Sequence, residues 1–107
     1  KDAIFAMTSH VIFNSIDKKN TATHSKKIIY IIRNKLNFKN VLISDDISMK
    51  ALRYSIKQNT IRSFDAGCNI VLHCNAKLSE MLEVAKNSPK LNSFLMKKTK
   101  EFYKLVS

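Results

Sequence analysis

Val41-Leu42-Ile43-Ser44-Asp45-Asp46-Ile47-Ser48 is the stretch that decides how this chain is read. An apolar, β-branched run stops at two adjacent carboxylates, and Ser48 follows as a candidate helix cap. A strand that delivers acids at its carboxyl end is where α/β folds place chemistry, because substrate sits outside the strand ends.

Working outward from Val41–Ser44, two similar runs flank it. Ala3–Met7 reads as a strand that empties into Thr8-Ser9-His10, and Asn69–Cys74 as a strand with the continuous apolar core Ile70-Val71-Leu72. Between the first two, Asn14–His24 carries turn formers and charge and reads as a loop. Ser25 or Thr23 then caps a helix to about Leu36, with Ile28, Ile29, Ile32 and Leu36 on one face. Asn37 is placed to end it in the left-handed conformation. A second helix is expected from the Ser48 cap through Leu52, Ile56 and Phe64 to Gly67, the only glycine, which takes positive φ at little cost. A third spans about Leu78 to Lys86. Ser88-Pro89 opens a fourth, with Leu91, Phe94, Leu95, Phe102 and Leu105 as its buried stripe. Strands alternating with helices at this spacing imply an α/β fold with parallel pairing and right-handed crossovers.

The 107 residues hold one domain with a modest core. The formal charge is +11, with 19 basic against 8 acidic residues. The 16 Lys, 12 Ile and 10 Asn point to an A/T-rich codon bias rather than to a nucleic-acid footprint, and only three Arg are available for bidentate contacts. No nucleic-acid partner is expected. No apolar run approaches a membrane span and no leader opens the chain, so no membrane partner and a cytoplasmic location are expected. Cys68 and Cys74 lack zinc spacing and read as small buried hydrophobes of a reducing compartment; no metal site and no cofactor are expected.

Four segments together resemble one family. Ala6-Met7-Thr8-Ser9-His10-Val11 is similar to a Met-Thr-Ala-His-Val strand end. Thr21-Ala22-Thr23-His24-Ser25 is similar to Pro-Ala-Thr-Leu-Ser. Leu36 to Met49 aligns with Leu-Gly-Phe-x-Gly-x-x-x-Ser-Asp-Asp-Leu-Ser-Met, and Ala66 to Asn75 with Ala-Gly-Cys-Asp-x-Val-Leu-x-Cys-Asn. In order and spacing these resemble the bacterial β-N-acetylhexosaminidases of glycoside hydrolase family three. The resemblance implies a partial (β/α) TIM barrel, about the last three βα units plus a C-terminal helix, with residues 1–107 as the carboxy-terminal portion of the catalytic barrel. A complete barrel needs ~250 residues.

The implied activity is retaining hydrolysis of a terminal β-linked N-acetylglucosamine, the substrate being a saccharide such as a peptidoglycan fragment. Asp45 inherits the nucleophile position, for which a retaining glycosidase needs an ionised carboxylate beneath the anomeric carbon. Asp46 is left as a loop or supporting hydrogen-bond acceptor. His10, at a strand end, is a candidate substrate-binding residue. His73 reads as a hydrogen-bonded, half-buried histidine. The family's Lys-His-Phe-Pro-Gly-His-Gly segment and its Asp-x-His acid/base dyad lie upstream of the matched region and are not among these residues. Departures are Asn37 and Asn40 for Gly, Thr21 for Pro, and His24 and His73 for apolar residues. The expectation is a piece that is inactive alone. Two alternatives stay open: a complementing half that reforms the barrel with a separate amino-terminal chain, and a small basic binding protein built on a barrel remnant.

Overall fold

β2 (Val41–Asp46) is the central strand of a three-stranded parallel sheet in the computed structural model, which describes residues 3–107. β1 (Phe5–Met7) and β3 (Ile70–Leu72) flank it in the order β1-β2-β3. Val41, Leu42 and Ser44 are buried, as a run covered on both faces requires. Both outer strands are shorter than the expected Ala3–Met7 and Asn69–Cys74, because their flanking residues leave the ladder.

Helix α1 (Lys26–Tyr30) starts where Ser25 Oγ accepts the Ile28 N–H at 3.2 Å, so Ser25 rather than Thr23 is the cap. The chain then widens into a π-helical turn over Ile31–Lys35, closed by Leu36 N–H to the Ile31 carbonyl at 2.9 Å. That wider turn rotates Leu36 out of line, and it is exposed where a buried position was expected. Phe38 takes its place, packing with Ile29, Leu42 and Ala66 as the buried core. Between the two, Asn37 sits at φ 58°, the left-handed conformation expected of it.

Arg33 locks this corner. Its guanidinium donates to the Phe38 and Asn40 carbonyls and, at 2.7 Å, to Asn69 Oδ1. The same Asn69 oxygen accepts the Leu42 N–H at 2.9 Å, so one side chain joins the π turn, β2 and the approach to β3.

Helix α2 (Ile56–Ala66) starts at Ser55, whose Oγ accepts the Gln58 N–H, and not at Ser48. The reason is local: the Ser48 hydroxyl and N–H are both committed to the Asp46 carboxylate. Ile47 and Leu52 are buried on the intervening turns instead. α2 lays a small, polar face inward, Asn59, Thr60, Ser63 and Ala66, with the Thr60 and Ser63 hydroxyls returned to backbone carbonyls one turn back. Gly67 ends the helix at φ 123°; a β-carbon there would lie 2.7 Å from Ile29 Cγ2, so both conformation and space require glycine.

Helix α3 (Leu78–Asn87) buries none of its residues completely. Helix α4 (Ser93–Val106) starts later than Ser88-Pro89, because Asn92 Oδ1 accepts the Leu95 N–H at 2.9 Å and sets the cap there. Of its expected stripe, Leu95 is buried and Phe94 and Phe102 half-buried, whereas Leu91 precedes the helix and Leu105 lies on its last turn, both exposed. Phe102 meets the Phe5 ring edge-on at 5.2 Å between centroids.

Candidate active site at the carboxyl end of β2

The ladder between β2 and β3 slips just where the carboxylates begin. Ile43 pairs with Ile70, but the next registered pair is Asp46 with Leu72, so three steps on β2 face two on β3. The extra residue falls within Ser44–Asp45, a bulge of the kind that re-aims side chains beside active sites. Ser44 repairs the interrupted ladder: its buried hydroxyl oxygen accepts the Leu72 N–H at 3.0 Å. The serine before the first acid therefore has a structural task that its sequence position did not disclose.

The two acids are held differently. Asp45 is partly exposed, and its Oδ1 accepts only the Asp46 N–H, at 2.8 Å, among the described residues. Its second oxygen accepts no hydrogen bond among the described residues. Asp46 is a structural knot: its carboxylate accepts the Ser48 N–H at 3.0 Å, the Ser48 hydroxyl at 2.7 Å and the Cys74 N–H at 3.0 Å. Partial burial pushes the Asp46 carboxyl upward, but these donors, with the nearby His73, outweigh it and hold the group below the ordinary carboxylate range. Asp46 thus ties the β2 exit to the β3 exit and stays ionised.

His10 is fixed at both ring nitrogens. Nε2 donates to the Asp46 backbone carbonyl at 2.8 Å, and Nδ1 pairs with Thr23 Oγ1 at 2.9 Å. A carbonyl can only accept, so Nε2 carries a proton. Thr23 is fully buried and also meets Thr8 Oγ1 at 2.8 Å and the Ser9 carbonyl at 2.9 Å. The loop after β1 is in this way strapped to the backbone directly following Asp45. Thr23 was legible only as a rival helix cap; nothing in its local pattern signals a link to His10.

His73 Nε2 meets Glu80 Oε1 at 3.0 Å, the hydrogen-bonded arrangement expected of it. Cys68 is buried, its thiol pushed up to about 11 by burial, but Cys74 is exposed, contrary to expectation, because β3 ends at Leu72. Among the described residues no three His, Cys, Asp or Glu side chains converge as metal ligands, and no helix is long and apolar enough to cross a membrane.

Residues 2–101 match the glycosyl hydrolase family 3 N terminal domain. The chain belongs to glycosyl hydrolase family 3. Among relatives of this family, the β-hexosaminidase of Nitrosomonas eutropha is 41% identical over 71 residues, covering 64% of this chain and 20% of that protein. The β-hexosaminidase of Photobacterium profundum is 31% identical over 108 residues, covering 94% of this chain and 32% of its own length. The chain thus spans a third or less of either. A solved structure, NagZ from Neisseria gonorrhoeae in complex with zinc ion, superposes with a TM-score of 0.70 at 32% identity, covering 89% of this chain and 27% of that one. The three parallel strands and their helices are accordingly a part of the family 3 α/β domain.

Proposed function

We propose that this chain carries the nucleophile side of a retaining β-N-acetylhexosaminidase, with Asp45 as the nucleophile. The observation that supports it is the contrast between the two acids: the bulge leaves one Asp45 oxygen unengaged at the strand exit, while Ser48 and Cys74 tie down Asp46. The substrate in this reading is an N-acetylglucosamine-containing saccharide such as a peptidoglycan fragment, met in the cytoplasm.

In the first step the Asp45 oxygen attacks the anomeric carbon as the glycosidic bond breaks and a general acid protonates the departing oxygen. In the second, water displaces the glycosyl ester, restoring the Asp45 carboxylate with net retention. Neither neighbour suits the acid role. Asp46 is held ionised, and both His10 nitrogens are committed to protein partners. His10 then borders the sugar site and fixes the backbone beside the nucleophile. The proton donor comes from outside these residues, from the rest of a barrel of which these are about the last three βα units. Those further strands arrive either in the same polypeptide or as a separate amino-terminal half.

The test uses the assembled barrel and a slow fluorosugar substrate. Mass-spectrometric mapping should find the label on Asp45, and Asp45→Asn should abolish turnover, because an amide cannot form the ester. Asp46→Asn should keep more activity. Label on Asp46, or turnover that survives Asp45→Asn, overturns the assignment.

A further inference from the structure

Between the loop after β1 and the turns that precede α2 lies a cavity of about 300 Å³. Lys18, Lys19 and Arg53 line it, and among the described residues no carboxylate does. Thr21 and His24 also line it, each more than nine-tenths buried at 9% and 7% exposure. Thr21 Oγ1 and His24 Nε2 have no hydrogen-bond partner among the described residues. Two further buried atoms without partners, Asn59 Oδ1 and Arg62 Nε, belong to side chains that contact Tyr54 on the cavity wall: Asn59 Nδ2 donates to its carbonyl at 3.2 Å, and the Arg62 guanidinium stacks 3.8 Å from its ring centroid. Buried polar atoms without partners are rare, and a group of them beside a cationic cavity marks a place where a polar ligand completes the bonding. Thr21 and His24 stand where the family segment quoted above has Pro and Leu.

The donors and acceptors narrow the ligand. Burial keeps the His24 ring neutral at pH 7, its pKa lowered to about 4, and with the ring's one proton on Nδ1 the Nε2 atom offers a lone pair. Thr21 offers a hydroxyl proton, and the rim offers ammonium and guanidinium charge. A ligand that satisfies all three needs oxyanion oxygens and an acidic O–H of its own. Hydrogen phosphate has both; sulfate has the oxygens only.

We propose that the Lys18–Lys19–Arg53 cavity, floored by Thr21 and His24, binds a phosphate group, either free or as a phosphomonoester. Its oxygens accept from the rim cations and the Thr21 hydroxyl, and its P–OH donates to His24 Nε2. The proposal is independent of the glycosidase reading.

Amide chemical shifts of the full chain at pH 7 and constant ionic strength, titrated with inorganic phosphate, glucose 6-phosphate and sulfate, test it. The expected result is saturable movement of the Thr21, His24, Arg53 and Tyr54 amides with a phosphate ligand, and at least tenfold weaker binding of sulfate. Tighter binding of the sugar phosphate assigns the site to a phosphomonoester; equal binding assigns it to the phosphate group alone. His24→Leu and, at the exposed rim, Arg53→Ala should each weaken binding about tenfold, while Lys104→Ala on α4 leaves it unchanged. No saturable movement, equal binding of sulfate, or unchanged affinity in both His24→Leu and Arg53→Ala overturns the proposal.

Discussion

Consider His24→Leu, which restores the residue of the family pattern, at a buried position whose Nε2 finds no partner. Burial lowers the His24 pKa from 6.5 to about 4, the Asn59 backbone opposing and the His10 and Arg62 charges assisting. The unfolded chain takes up a proton below its ordinary 6.5, whereas the folded chain cannot until about 4. Stability is therefore lost as pH falls through that window. At about 1.4 kcal/mol per pKa unit the full shift would amount to roughly 3 kcal/mol, and screening by nearby solvent cuts this to roughly half. About 1 kcal/mol of it falls between pH 7 and pH 5. At pH 7 the leucine also removes an unpaired buried acceptor, a gain of about 1 kcal/mol. Urea unfolding of both chains at pH 7 and pH 5 should show the variant more stable at pH 7, with a gap that widens by about 1 kcal/mol at pH 5. A variant less stable at pH 7, or a gap that does not change with pH, would refute the reasoning.

Asn69→Asp should raise stability by about 1 kcal/mol at neutral pH, because the oxygen that receives Arg33 at 2.7 Å becomes a carboxylate; thermal unfolding should show a higher Tm whose advantage vanishes in acid. Gly67→Ala should cost about 2 kcal/mol or more in denaturant titrations, since φ 123° and the 2.7 Å approach to Ile29 Cγ2 both penalise a β-carbon. Asp17 accepts the Ser25 hydroxyl at 2.7 Å and, against the upward pull of burial, also the Lys19 and Asn20 N–H groups, which lowers its pKa to about 2. Its contribution is present above the ordinary 3.8 and is lost as pH falls toward 2, so Asp17→Asn should flatten the acid limb of the stability profile over that interval while lowering stability at neutral pH.

What could be read from the chain were the features with a local cause. The apolar run of β2, the positive φ of Asn37 and Gly67, and the acids at a strand exit each follow from residue type and immediate neighbours. What escaped depended either on competing bonds a few residues away or on partners distant in sequence. Ser48 reads as a cap until Asp46 claims its hydroxyl and moves the start of α2 to Ser55. Leu36 fits the helical period until a π turn hands its place to Phe38. The β2 bulge, the bond from His10 to the Asp46 carbonyl and the bridge from Arg33 to Asn69 span tens of residues and leave no periodic trace. His24 was visible as a departure from the family pattern, but its burial against α2 was not.

The order β1-β2-β3 repeats the order of the chain, so each ladder joins a strand to the very next one. Among the described strands no pairing waits for a distant segment to be synthesised. Loop closure spans one crossover at a time, the regime in which parallel sheets form fastest. As β2 leaves the ribosome it can dock on β1, and β3 can then dock on β2. Growth of the sheet thus follows translation, in the manner of a repeat array rather than of a sandwich whose strands meet across the whole sequence. A chain built this way can be divided at a loop without cutting a ladder inside either piece.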